Sequence, residues 1–322
     1  MRNSCVTSSL DAPKISCLIP VYNGETFLAE AIDSILSQSF RDFELIIVND
    51  GSTDGTAAIL EKYAGRDDRV KILTQPNGGI VAALNAGLSV CRGQYVARMD
   101  ADDIAQPDRF EFQASYLDTH PGCVLVGGLA SSIRPDGSRG GISSGGRHKR
   151  TDLGIFPPRI AVSLHPLITV RREALRSIGG YSDKFPHAED YDLFIRLAPF
   201  GSVDNPDKIV LIYRRHEGAI SIRHLELQER SAALAEIDAR RAAGLPEISS
   251  ETLEAYIRLR IWRRYQGVDW QKALDLRGQQ IKDLFNLSPR LWASKPHWRL
   301  RLITLAAMAR FVKTGLGRRA RG

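Results

Sequence analysis

Residues 43–55 read FELIIVNDGSTDG. From Phe43 to Asn49 the run is apolar almost without alternation, and it stops on Asp50, Gly51, Ser52, Thr53 and Asp54. A strand that is apolar on both faces is buried on both faces, as in a parallel sheet covered by helices. The polar stop supplies a turn and a helix start, with Gly51 for a positive φ and Thr53 or Asp54 for the cap. The flanking sequence repeats the unit. Residues 14–20 are a short apolar run, and 27–38 carry Leu28, Ala31, Ile32, Ile35 and Leu36 at helical spacing. Residues 56–63 read as a helix, 70–74 as a strand and 80–90 as a helix of small residues. A strand over 94–99, a helix over 109–117 and a strand over 124–127 follow. This alternation predicts right-handed βαβ units and an α/β, Rossmann-like, mostly parallel sheet.

The rhythm breaks at 131–150, which is rich in Gly, Ser and Arg and reads as a mobile loop or a poor hairpin. Order resumes with a strand over 167–170, a helix over 172–178 and a stop at Gly179 and Gly180. A helix opening with two acids covers 189–197, and 208–213 reads as a strand. Beyond Ser221 the pattern is helical only, over 225–241, 251–264, 270–284 and 299–311. The expected organisation is a disordered leader at 1–13, an α/β domain at 14–222 and a helical region at 223–322 with a basic amphipathic end.

The chain has 322 residues, 43% hydrophobic and 25% charged, a composition that buries a core and excludes wholesale disorder. No apolar run approaches the length of a membrane span, and the first nine residues show no secretory signal. Cys5, Cys17, Cys91 and Cys123 are widely spaced, which argues against a zinc site or a disulfide framework and fits a reducing cytoplasm. The formal charge of +7 is local: residues 284–322 hold nine bases and no acid, and the rest of the chain is at −2. In that tail Leu302, Leu305, Met308 and Val312 share a helical face, flanked by Arg299, Arg310 and Lys313 and preceded by Trp292 and Trp298. Such a helix suits an anionic membrane surface or packs on the body. A nucleic-acid partner is not expected, because the body is not basic and no binding motif is present.

In an open parallel sheet, ligands bind beyond the carboxyl ends of the strands. There the sequence offers Pro20, Val21, Tyr22 and Asn23, then Asn49 to Asp54, then Asp100, Ala101, Asp102 and Asp103. Asp100 and Asp102, two apart in an extended segment, face the same way, and paired hard oxygen ligands suit Mg²⁺ or Mn²⁺. The plainer alternative is a solvated turn with Asp103 capping the next helix. Asp50 either closes a turn or accepts hydrogen bonds from a base edge or ribose. Asn77, Gly78 and Gly79 open a small-residue helix, for close packing or for substrate contact. The run His187 to Leu193 holds a second acidic cluster, either macrodipole partners of a helix start or a general base. His216 follows the last strand of the body and is a candidate third metal ligand or phosphate contact. Neither a G-x-G-x-x-G nor a Walker A lysine follows the first strand.

In this order (IPVYNGE at 19–25, VNDGSTD at 48–54, DADD at 100–103, EDYDL at 189–193) the motifs resemble the family 2 glycosyltransferases with the GT-A fold, over about residues 14–220. The resemblance implies inverting transfer of a sugar from a nucleotide diphospho-sugar, most commonly a UDP-sugar, to a glycan or lipid-linked acceptor in polysaccharide biosynthesis. It implies that Pro20, Tyr22 and Glu25 line the nucleotide pocket, that Asp50 recognises the base and that Asp100 contacts the ribose side. Asp102 would hold Mn²⁺ or Mg²⁺ on the diphosphate, with Arg98 on the donor, His216 as an additional metal or diphosphate contact and Asp190 as the general base. The Q-x-x-R-W motif and membrane spans of processive members are missing, so one sugar per encounter is expected. The 131–150 stretch occupies the place where acceptor-side loops vary.

Two rivals are a nucleotidyltransferase and a degenerate sugar-nucleotide-binding subunit. The first also uses paired carboxylates with a divalent metal, but the place of its Gly-rich basic phosphate loop is taken by Tyr22, Asn23 and Glu25. The second would not need Asp102 and Asp190. The expected location is the cytoplasm, with peripheral membrane contact through the tail.

Overall fold

The computed structural model describes residues 12–215 and 224–268. Expectations for the leader up to residue 11, for His216 and for everything beyond 268, including the basic tail, fall outside the described residues. The described chain forms two units, one of residues 12–151, 160–185 and 189–215, the other of 152–159, 186–188 and 224–268.

The first unit opens with β1 (Ile15–Val21), α1 (Leu28–Leu36), β2 (Phe43–Asp50), α2 (Thr56–Ala64), β3 (Val70–Gln75), α3 (Gly79–Val90) and β4 (Tyr95–Arg98). It continues through β5 (Ile104–Ala105), α4 (Arg109–Thr119), β6 (Cys123–Val126), β7 (Leu129–Ile133) and β8 (Arg139–Ser144). β9 (Thr169–Arg171), α5 (Arg172–Ser177), α6 (Glu189–Leu197), β10 (Ser202–Asp204) and β11 (Ile209–Arg214) complete it. Seven strands form the main sheet in the order β10-β6-β9-β4-β1-β2-β3. All its neighbours run parallel except β9, which is antiparallel to both β4 and β6.

The unalternating runs are explained by two cores. Cys17, Ile19, Leu45 and Ile47 point into one, with Leu28, Ala31, Ile32 and Ile35 of α1. Leu18, Ile46 and Val48 point into the other, with Leu84 of α3 and Leu193 and Phe194 of α6. Strand residues alternate between faces, so a strand covered by helices on both sides must be apolar throughout. Each fully buried Leu or Ile contributes roughly 1.5–3 kcal/mol by leaving water. Close helix–sheet approach needs Gly87, where a Cβ would stand 2.1 Å from Leu18 Cδ1.

A second sheet, β5-β11-β7-β8, was not foreseen as separate from the main one. Of the two alternatives for the stretch after residue 130, a loop or a poor hairpin, the structure takes the second: residues 129–144 form an antiparallel hairpin at the sheet's edge, with a register shift between Ser131 and Ile133. Polar, glycine-rich β8 has no periodicity to announce it, and its pairing with β7 is what makes it a strand. β5 and β10 were not expected either, because two or three residues carry no pattern.

In the second unit, α7 (Leu225–Ala242) and α8 (Ser250–Val268) pack around Phe156, Leu225, Ala233, Tyr256, Ile257 and Trp262. Glu236, 1% exposed, accepts a hydrogen bond from Tyr256 at 2.9 Å and pairs with Arg260, whose Nε reaches Glu229 at 2.8 Å. A buried carboxylate needs such partners, and these align the two helices.

Candidate active site

The carboxyl ends of β1, β2 and β4 share one edge of the main sheet, and the polar strand ends meet there. The loops after β1 and β2 are stapled to each other. Asn23 N–H donates to Ser52 Oγ at 2.9 Å, while Asn23 Oδ1 accepts from Thr53 N–H at 2.8 Å. Gly24 N–H donates to Thr56 Oγ1 at 2.9 Å. Glu25 N–H donates to Asp54 Oδ2 at 3.0 Å, and Glu25 Oε2 accepts from Gly55 N–H at 2.7 Å. Asp54 Oδ1 accepts from Thr56 N–H, but Gly55 is the residue that caps α2, so neither of the two expected caps, Thr53 and Asp54, holds that position. Asn23 holds φ 52°, a left-handed conformation that Asn tolerates better than most residues. Pro20 is buried in β1, and Tyr22 stands 53% exposed at the mouth of this double loop.

Asp50 is buried and filled. Oδ1 accepts from Gln75 Nε2 at 2.7 Å and Gly78 N–H at 2.9 Å, and Oδ2 accepts from Gly79 N–H at 2.9 Å. Its carboxylate therefore fixes the loop entering α3, and three of about four lone-pair sites are already taken. Gly51, at φ 73°, lets that loop lie against it, since a Cβ would fall 2.6 Å from Asn77 N.

Asp100, Asp102 and Asp103 bring one oxygen each to within 4.8 Å of one another. The expected geometry needs correcting here. β4 ends at Arg98, and the three acids converge through a turn with Asp103 N–H on the Asp100 carbonyl, not along an extended segment. Nor does Asp103 cap a helix, since α4 begins at Arg109. Its Oδ1 accepts the Arg214 N–H at 2.9 Å, and its Oδ2 is buried with no hydrogen-bond partner. Burial, reinforced by the neighbouring carboxylates, pushes the Asp100 and Asp103 carboxyls up despite nearby arginines. Arg98 Nη2 lies 2.5 Å from Asp100 Oδ1. Burial works against its charge, but Asp100 and its neighbours outweigh this and keep it cationic. Arg109 is fully buried beneath, donates to the Arg98 carbonyl at 2.7 Å and is lowered by burial to about 10, still a cation at neutral pH. A crowded set of hard oxygen donors with an orphaned buried carboxylate oxygen fits a divalent cation such as Mg²⁺ or Mn²⁺.

At the start of α6, Asp190 Oδ1 accepts from Tyr191 N–H at 2.7 Å. Burial, then the adjacent Glu189, raise the Asp190 carboxyl to about 6, with Arg98 acting against them. The Glu189 carboxyl is raised too, chiefly by burial. Tyr181, whose hydroxyl stands 2.7 Å from His165 Nε2, is within electrostatic reach of Arg98, Asp190 and Asp100. Burial and Arg98 hold His165 neutral. Asn85 grips Tyr181 by both backbone groups, at 2.9 Å each.

Arg98, Asp100, Asp102 and Asp190 are thus in one electrostatic neighbourhood, with Tyr22 and the stapled loops beyond the neighbouring strands. Sequence reasoning missed Asp103 as a member of the cluster, the Arg109 counter-charge, the Tyr181–His165 pair and the Asn23 staple. Adjacency to DAD in the chain was the only available signal, and it pointed to Asp103.

The sequence profile described as Glycosyl transferase family 2 matches residues 16–179. A chondroitin synthase of Pasteurella multocida (strain Pm70) is 29% identical over 277 residues, 84% of this chain and 27% of that protein. A hyaluronan synthase of Pasteurella multocida is 32% identical over 221 residues, 68% of this chain and 22% of that protein. The chain thus spans about a quarter of the length of these two relatives. Among solved structures, S. aureus TarS 1-349 in complex with UDP-GlcNAc matches with a TM-score of 0.58 at 22% identity, covering 84% of this chain and 79% of that one. The mannosyltransferase PcManGT from Pyrobaculum calidifontis, in complex with GDP-Man and Mn2+, gives 0.55 at 19% identity, covering 94% and 82%. These structural likenesses concern the fold.

Proposed function

The chain belongs to glycosyltransferase family 2, and from that premise we propose that it is an inverting, metal-dependent enzyme moving a sugar from a UDP-sugar to a glycan or lipid-linked hydroxyl. One observation carries the reading: Asp190, a carboxyl raised to about 6, shares Arg98 as an electrostatic neighbour with the Asp100–Asp102–Asp103 cluster. A base with a pKa near the working pH, sharing a buried arginine with an acid cluster that can hold a divalent ion, suits single displacement.

In this mechanism Tyr22 offers an exposed ring for a nucleotide base, with Pro20 near the end of β1 and Glu25 in the stapled loop completing the pocket. Asp50 keeps the Gly78–Gly79 turn in place, and Arg98 anchors Asp100. Asp102, with Asp100 and Asp103, would hold Mn²⁺ or Mg²⁺, and such an ion would neutralise the charge growing on the diphosphate. Asp190 takes the acceptor hydroxyl proton. The acceptor oxygen bonds to the anomeric carbon as the bond from that carbon to the diphosphate oxygen breaks, and one displacement inverts the centre. Glycosidases instead place two carboxylates about the bond without a metal. The reading sets the chain in the cytoplasm with its nine-base tail on the membrane. It is supported by a relative named as a chondroitin synthase and by a fold neighbour bound to UDP-GlcNAc.

The test is a thermal-shift panel of UDP, GDP, dTDP and CMP, each with and without Mn²⁺. Binding to the native state raises the melting temperature by mass action. A Mn²⁺-dependent shift with UDP is expected. No shift with any nucleotide, in folded protein, would sink the reading.

A further inference from the structure

The turn that carries the acid cluster is gripped by an arginine on each side. Arg98, the last residue of β4, pairs with Asp100. Arg214, the last residue of β11, holds the other two acids. Its N–H donates to Asp103 Oδ1 at 2.9 Å, and its Nε donates to the Asp102 carbonyl at 3.0 Å. Its Nη2 stands 2.5 Å from Glu30 Oε2 on α1, and the guanidinium lies over the Phe27 ring, 4.3 Å from the ring centre. The Arg214 side chain is 15% exposed, so it is largely enclosed among these partners. β11 also pairs with β5, the strand that starts directly after Asp103, with Ile212 opposite Ile104. The second sheet therefore reaches the acid turn through one strand pair and one side chain.

An arginine fork prefers a carboxylate. Glu30 supplies one, while Asp103 Oδ2 is buried without a hydrogen-bond partner. The fork thus takes a carboxylate from α1 and meets Asp102 at its main-chain carbonyl. Stapling β11 to α1 would need only Glu30 and Phe27. The bond to Asp102 adds nothing to that staple, but it fixes the main chain from which the Asp102 carboxylate projects. We propose that Arg214 is a positioning residue for the cation site, setting where the Asp102 carboxylate stands relative to those of Asp100 and Asp103. The proposal rests on the metal-dependent reading and extends it to a residue outside the acid motif. Groups that orient a metal's ligands are worth roughly 10–100-fold in affinity.

The direction of the change distinguishes this role from two simpler ones. A guanidinium near a cation site repels the ion, so an arginine acting only by its charge would, once removed, let Mn²⁺ bind more tightly. An arginine acting only as a staple would, once removed, lower the melting temperature and leave Mn²⁺ affinity as it was. Loss of positioning weakens Mn²⁺ binding although a positive charge has gone.

The experiment uses the full chain and its variants Arg214→Met, which keeps bulk, and Arg214→Gln, which carries the test should the Met variant fail to fold. With UDP fixed and Mn²⁺ varied, the thermal shift above each protein's own unliganded melting temperature gives the half-saturating Mn²⁺ concentration. UDP and buffer are the same throughout, so complexation of Mn²⁺ by free UDP cancels in the comparison. Expected is a half-saturating concentration about tenfold higher in the variants. An unchanged concentration, whatever the fall in melting temperature, would reduce Arg214 to a staple, and a lower one would reduce it to a nearby charge; either overturns the proposal. If the parent shows a Mn²⁺-dependent UDP shift and the variants match it, only the Arg214 proposal falls. If the parent shows no such shift, the donor reading falls, and the role of Arg214 with it.

Discussion

Arg98 Nη2 stands 2.5 Å from Asp100 Oδ1, with the arginine side chain 6% exposed and the aspartate 32%. This pair joins the last residue of a central strand to the first acid of the cluster. It allows three carboxylates to crowd at a strand end. Arg98→Met should remove the buried cation while keeping bulk. Breaking a partly buried pair from one side costs about 3 kcal/mol, at the low end because Asp100 keeps some solvent. A melting temperature within a degree of the parent would show that the pair holds nothing.

Asp102→Asn tests the cation site. The shift that UDP produces should lose its Mn²⁺ dependence while the unliganded melting temperature stays near that of the parent. Unchanged Mn²⁺ dependence would remove Asp102 from the site.

Asp190 makes a pH prediction of two signs. As a base it must be ionised, so transfer should rise with pH through about 6 and level above it. As a carboxyl raised in the folded state, it weakens the fold once ionised. That penalty is absent below its ordinary value of 3.8 and complete above about 6. Asp190→Asn should therefore abolish transfer yet stabilise the protein at pH 8 by on the order of 1–3 kcal/mol, with no gain at pH 3. Urea unfolding at both pH values and a transfer assay check this. A destabilised Asn variant at pH 8 would contradict the burial argument.

Glu44 has the opposite sign. Burial alone would raise it, but hydrogen bonds from Lys71, Ser16 and Arg92 prevail and hold it at about 2. The stability it contributes is present above its ordinary value of 4.5 and is lost as pH falls through about 2. Glu44→Gln should cost roughly 3 kcal/mol at pH 7 and almost nothing near pH 2, read from denaturant midpoints. A cost independent of pH would mean that packing, not charge, is what Glu44 supplies.

Asn23 separates backbone strain from stapling. Asn23→Ala loses the Thr53 bond and keeps a Cβ at φ 52° without the side-chain amide that lets Asn tolerate that region, whereas Asn23→Gly loses the bond but removes the Cβ strain. The Ala variant should be less stable than the Gly variant by about 1 kcal/mol, and both should weaken the UDP shift. Equal UDP shifts in parent and both variants would show that the staple does not shape the nucleotide site.

Much of this was legible in the chain because it follows from local periodicity. Residues 43–50 had to be a strand covered on both faces, and the spacing of Leu28, Ala31, Ile32 and Ile35 had to be a helix seam. The polar strand ends then had to lie at one edge of the sheet, so the sequence by itself determined the α/β architecture and which acids would stand near each other. Tertiary structure alone decided what those acids do for one another. Asp50 is filled by Gly78 and Gly79, and Asp103 turns from a cap into a partner of Arg214. Arg109 becomes a buried counter-charge, and Tyr181 meets His165 sixteen residues away. Such contacts join positions with no fixed spacing, and their energies come from burial and charge, which exist only once the sheets have brought the loops together.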